Sequence, residues 1–109
     1  MEQDPKGRYA PVNGLQMYYE IHGSGQPLVL LHGSFSAIGS SFGMLWPELA
    51  KTRHVIAVDM QAHGRTADID RPLRLKLLAD DVSALLRYLS LEKADLFGYS
   101  TGAAVALQM

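Results

Sequence analysis

At 109 residues and 12.0 kDa the chain is shorter than the ~150 residues of an average domain, so these residues hold no more than one. With 48% hydrophobic and 19% charged residues, the composition describes a chain able to bury a core rather than a disordered one. Ten basic and eleven acidic residues leave a net charge of −1 with no block of one sign, so neither nucleic acid nor a membrane surface is an expected partner.

Residues 1–7 read as a polar tail, with no apolar stretch behind them that could serve as a signal peptide. Residues 8–12 and 15–22 are rich in strand formers and are separated by Asn13-Gly14. That dipeptide is the strongest short-range hairpin signal, since a type I′ turn needs positive φ at both central residues. After the break Gly23-Ser24-Gly25-Gln26-Pro27, the run Leu28-Val29-Leu30-Leu31 suits a strand buried on both faces. It is the longest apolar run and spans four residues, far short of the ~20 that cross a bilayer. Residues 32–41 read as a loop, and 42–51 as a helix despite Pro47. Residues 54–58 form a second buried strand ending at Asp59, and 61–72 a polar loop. From 74 to 90, Leu75, Leu78, Val82, Leu85, Leu86 and Leu89 recur at spacings of three and four, an amphipathic helix whose solvated face would carry Asp80 and Asp81. Residues 94–97 are a third short strand, and 101–109 open another helix without a stop signal, so the chain is expected to be a fragment. Strands alternating with helices predict a mostly parallel sheet, an α/β fold.

Gly98-Tyr99-Ser100-Thr101-Gly102 matches G-x-S-x-G, with a strand before the serine and a helix after it. In that context a strained strand-to-helix turn lifts the serine hydroxyl clear of the sheet and aims amides at the helix start toward a developing oxyanion. Read alone, the same residues also describe a glycine-rich turn with a capping serine. His32-Gly33-Ser34, directly after a buried strand, can present the Ser34 N–H as a second oxyanion donor, with Phe35 as the alternative. Equally, it is an ordinary strand-to-loop exit.

Three motifs in this order, Leu30-Leu31-His32-Gly33-Ser34, then Asp59-Met60-Gln61-Ala62-His63-Gly64-Arg65-Thr66, then Gly98-Tyr99-Ser100-Thr101-Gly102-Ala103, resemble the α/β-hydrolase fold family. The resemblance covers residues 8–109 and implies the N-terminal part of a single domain, an antiparallel hairpin leading into a parallel sheet of strand order 1-2-4-3-5 flanked by helices. It implies Ser100 as nucleophile, Ser34 and Thr101 as oxyanion-hole N–H donors, Phe35 and Tyr99 as substrate contacts, and His32, Gly33, Gly98 and Gly102 as structural motif residues. The family pattern has glycine where this chain has Ala62, and a second glycine where it has Ala103.

In family order the triad acid and histidine follow the nucleophile. None of the nine residues after Ser100 is Asp, Glu or His, so both are expected beyond Met109 and this chain alone is expected to be inactive. Of the four histidines, His22 and His54 are expected to be structural. His32 and His63 lie on the side of the site, Asp59 is expected to cap the turn after its strand, and Asp95 opens a strand at the wrong end. Trp46, with Phe42 and Leu45, is core or a pocket wall. No H-x-x-x-H or H-E-x-x-H spacing suggests a metal, no G-x-G-x-x-G follows a strand, and no cofactor is expected. The absence of cysteine excludes thiol nucleophiles and suits a reducing, cytoplasmic setting. The resemblance thus implies a cofactor-independent serine hydrolase of a small-molecule acyl substrate. A serine in the elbow argues against the aspartate-using dehalogenase and epoxide hydrolase relatives. A non-catalytic binding module that kept the fold is the other reading.

Overall fold

A computed structural model describes residues 7–33 and 37–109. Asn13 and Gly14 both take positive φ, 51° and 82°, and close a two-residue hairpin between β1 (Gly7–Val12) and β2 (Leu15–His22). The parallel strands are β3 (Gln26–Leu31), β4 (Arg53–Val58) and β5 (Asp95–Gly98). They assemble with the hairpin in the order β1-β2-β4-β3-β5, the order the resemblance implies. β2 meets β4 antiparallel, and β3 lies parallel between β4 and β5.

Alternation along β3 and β4 fills two cores. Val29, Leu31, Ile56 and Val58 face a layer formed by α3 (Leu75–Tyr88) and α4 (Thr101–Gln108), together with Leu78, Val82, Leu85 and Val105. Leu28, Leu30, Val55 and Ala57 face the other way, onto Ile38 and Phe42. Both sides of these strands are therefore dry, which is why their sequence is continuously apolar rather than alternating.

The helix expected over 42–51 is instead two short ones, α1 (Ile38–Phe42) and α2 (Trp46–Leu49). Pro47 has no N–H to give the preceding turn, so the chain breaks after Phe42 and restarts with proline in the first turn of α2.

The helix α3 also departs from expectation at two residues. Leu75, expected on the apolar face, is 39% exposed. Asp81, expected in solvent, is fully buried. Its carboxylate pairs with the Arg71 guanidinium and accepts a hydrogen bond from Asn13 Nδ2 at 3.1 Å. Arg71 Nε donates in turn to Gln61 Oε1 (2.8 Å), and Gln61 Nε2 to Asp68 Oδ1 (2.7 Å). This network ties the hairpin turn and the 61–72 loop to α3. Among the described residues no helix is long and apolar enough to cross a membrane.

Candidate active site

Parallel strands present their C-terminal ends to one edge of the molecule, and in α/β sheets that edge is where sites form. Gly98, the last residue of β5, pairs with Leu31, the last of β3, and Tyr99 N–H donates to the Leu31 carbonyl at 3.0 Å. The chain then turns at Ser100, with φ 56° and ψ −114°, and enters α4 at Thr101. Such a backbone is sparsely populated for any residue with a Cβ and costs on the order of 1–3 kcal/mol.

Close packing on both sides holds the turn. A Cβ on Gly98 would sit 2.5 Å from Ala103 Cα, and one on Gly102 would sit 2.5 Å from the Leu31 carbonyl carbon and 2.7 Å from the His32 oxygen. Glycine at these two positions lets α4 fold back over the strand ends.

The serine is exposed, and its hydroxyl makes no capping bond to α4. The capping-serine reading of the motif thus has no counterpart in the geometry. Thr101 occupies the first helical position, where a backbone amide points outward along the axis at the positive end of the helix. Tyr99 is 60% exposed and lies over Gly33, whose added Cβ would meet the ring 3.0 Å away. The His32-Gly33 turn and the Ser100 turn therefore touch. Ser34 and Phe35, the expected oxyanion donor and substrate contact, lie outside the described residues.

Neither histidine on this side is poised as a base. His32 is fully buried; its Nε2 accepts the Met60 N–H at 2.9 Å, which places the ring proton on Nδ1, 2.8 Å from the Gly33 carbonyl. Burial pushes its pKa below the usual imidazole value, with His63 adding to that effect and the Gly33 carbonyl opposing it. His63 Nδ1 lies 2.8 Å from the Gln61 carbonyl, and its ring centroid is 4.9 Å from that of His32. Among the described residues no hydrogen bond joins either imidazole to Ser100.

Other candidates sit at the opposite end of the sheet. His22 pairs with Glu20 (2.9 Å) and stacks on Trp46, centroids 3.6 Å apart, so Trp46 packs well away from Ser100. His54 Nδ1 lies 3.3 Å from the Gly23 carbonyl, and Asp95 pairs with Arg53 at 2.8 Å. A groove of about 510 Å³ at that end is lined by Gln26, Pro27 and residues 92–96. Among the described residues no group of three His, Asp or Glu side chains could hold a metal ion.

The reach of Asp59 exceeds what sequence implied. It does cap the following turn, accepting Arg65 N–H at Oδ2, but its Oδ1 also accepts Ile38 N–H, each at 2.9 Å. Ala62 holds φ +67°, the left-handed conformation that explains glycine in the family pattern at this position.

A serine raised on a strained turn between a parallel strand and a helix, on a sheet of this strand order, is the architecture of the α/β hydrolases. The chain belongs to that family: the model for the alpha/beta hydrolase family matches residues 28–109. It is 39% identical over 109 residues to the dihydrolipoyllysine-residue acetyltransferase component of the acetoin cleaving system of Pseudomonas putida, covering 98% of this chain and 29% of that protein. It is 33% identical over 106 residues to the 2-hydroxymuconate semialdehyde hydrolase of Pseudomonas sp. strain CF600, covering 94% and 38%. Among solved structures, the epoxide hydrolase CorEH superposes with a TM-score of 0.89 at 32% identity, covering 94% of this chain and 36% of that one. The chain thus spans about a third of the length of the relatives it matches.

Proposed function

We propose that this chain is the nucleophile-bearing, N-terminal part of a serine hydrolase domain acting on carboxylic esters or related acyl compounds. The observation that carries the reading is Ser100: a serine held at φ 56°, ψ −114°, exposed, with its hydroxyl not spent on capping α4. Nothing in packing requires a serine there, and the strain has an evident use in presenting an alcohol to a substrate.

In this reading Ser100 Oγ attacks the acyl carbon and its proton passes to a histidine supplied from beyond Met109. The N–H of Thr101, with that of Ser34 by resemblance, receives the charge that develops on the carbonyl oxygen. The leaving group departs with the proton, and water releases the acid from the acyl-enzyme. Tyr99 forms one wall beside the reacting carbon, with Phe35 a second contact by resemblance. No metal or cofactor enters these steps. Serine in place of a carboxylate supports acyl chemistry over epoxide opening, because a covalent ester intermediate with an epoxide requires a carboxylate nucleophile. The likeness to an acetyltransferase component bears on the acceptor, since the same acyl-serine can pass its acyl group to a nucleophile other than water.

Treating the full-length protein with a fluorophosphonate probe tests the reading. Labelling at Ser100 that disappears in Ser100→Ala is expected. No labelling, or labelling that survives the substitution, would leave a binding module with the fold of a hydrolase.

A further inference from the structure

We propose that Asn13 is a site of spontaneous modification: its side-chain amide is lost to attack by the Gly14 nitrogen, and the carboxylate left behind unties the hairpin from α3. Asn13 is the single asparagine of the sequence, and the residue after it is glycine, which has no Cβ to hinder a ring closing across the two. The turn also stands open. Asn13 and Gly14 are both exposed, and a Cβ on Gly14 would meet nothing within 4 Å, so water and base reach the peptide bond that reacts. Among the described residues no main-chain hydrogen bond engages the Gly14 N–H, and the nitrogen is free to lose its proton.

The reaction needs only hydroxide and water. Base removes the Gly14 N–H proton and the nitrogen attacks Asn13 Cγ. A C–N bond forms as the Cγ–Nδ2 bond breaks, and the departing nitrogen takes a proton from water and leaves as ammonia. Water then opens the five-membered imide at either carbonyl. Opening between Cγ and the Gly14 nitrogen gives aspartate; opening at the main-chain carbonyl gives isoaspartate, with the chain now running through the side chain. No electrons are gained or lost, and a neutral donor has become an anionic acceptor.

The fold decides where that charge appears. Asn13 Nδ2 donates to Asp81 Oδ1 at 3.1 Å, and Asp81 is fully buried. An ionised carboxylate only accepts, so the contact depends on the NH2 group that the reaction removes. Afterwards two carboxylates face each other with no donor between them. The Arg71 guanidinium is already engaged by Asp81 and, through Nε at 2.8 Å, by Gln61. Through these residues the same contact joins the hairpin to the 61–72 loop, which leaves β4 at the end of the sheet where Ser100 lies. The hydrogen bond to Asp81 also restrains the amide, because Cγ must swing away from Asp81 to meet the Gly14 nitrogen. Folding therefore slows a reaction that the unfolded chain undergoes faster, and the modification records time spent with the hairpin undocked.

The full-length protein is aged in mildly alkaline buffer, folded and in concentrated urea, and residue 13 is followed by peptide mass spectrometry. Aspartate and isoaspartate are expected at residue 13 in both samples, several-fold faster in urea. Residue 13 still asparagine in the folded sample after about ten half-lives of the unfolded one overturns the site, and equal rates in the two overturn the restraint by Asp81. The consequence is read on the aspartate form, separated from aged protein by ion exchange, and on Asn13→Asp. In each the urea midpoint should fall by about 0.5–1 M. Asn13→Gly, which accepts the positive φ and carries no carboxylate, should fall less than half as far. A midpoint for the aspartate form equal to wild type, or equal to that of Asn13→Gly, overturns the account of the charge. If Asn13→Asp does not fold when expressed, the aged protein, which folded before it changed, supplies the same comparison.

Discussion

Replacing Gly102 with alanine adds one methyl group at the point where α4 crosses the end of β3. That methyl would lie 2.5 Å from the Leu31 carbonyl carbon and 2.7 Å from the His32 oxygen, both backbone atoms of a buried strand end. Carbon atoms in contact sit about 3.5–4.0 Å apart, so the overlap is on the order of 1 Å and no rotamer change can relieve it. Two effects oppose each other. Alanine is favoured over glycine within a helix by about 1 kcal/mol, whereas overpacking against rigid neighbours costs about 1–3 kcal/mol and sometimes more. The clash wins because α4 must lift from the sheet, and a net loss of up to about 2 kcal/mol is expected in urea unfolding of the full-length protein. Lifting α4 also moves Ser100, so the rate of fluorophosphonate labelling should fall at least tenfold. Gly39→Ala is the matched control: Gly39 lies in α1, exposed, with nothing within 4 Å of an added Cβ. It should gain up to about 1 kcal/mol and leave labelling unchanged. A Gly102→Ala protein as stable as wild type and labelled at the same rate would refute the account of how the turn is held.

Ala62→Gly should stabilise the protein by about 1 kcal/mol, because Ala62 holds φ +67° at an exposed position where its methyl packs on little; an unfolding midpoint that falls instead would count against this. Burial lowers the pKa of His32, so between its folded value and the ordinary value near 6.5 the unfolded chain binds a proton that the native chain does not. That contribution to stability is complete above about pH 7 and is lost as the pH falls below about 6.5, until the folded imidazole also protonates. Urea midpoints measured from pH 7.5 to 5.0 should therefore drop more steeply for wild type than for His32→Gln, and parallel curves would refute the assignment. Arg71→Met leaves the buried Asp81 carboxylate with Asn13 alone and should cost about 3–5 kcal/mol, much of it recovered in Arg71→Met/Asp81→Leu; additive losses in the double variant would show that the pair is not coupled.

The order and type of the strands were legible because each apolar run exceeded what one wet face allows, and because Asn13-Gly14 permits little besides a hairpin. The elbow was legible for a related reason: glycines two residues to either side of Ser100 are needed where backbones pass within contact distance, and that need leaves a mark on sequence. The break between α1 and α2 was less so, since Pro47 marks a first turn without saying whose. Asp81 misled because a carboxylate on a helix is usually solvated. It lies about 60° from Leu78 at 100° per residue, on the flank of the apolar arc, and that angle was the available signal. What no local pattern carries is the reach of Asp59 to Ile38, a contact across 21 residues that exists only after β3 and β4 have paired. Ser34 and Phe35 rest on resemblance alone.

Among the described residues, the strand that leads to Ser100 is the last in the sheet order. β5 is laddered to β3, and among the described residues no strand pairs with its other side. Through four ladder partners and the Tyr99–Leu31 hydrogen bond, the position of Ser100 is tied to the end of β3. Any shift of Leu31 is thereby passed directly to the residue that precedes the serine.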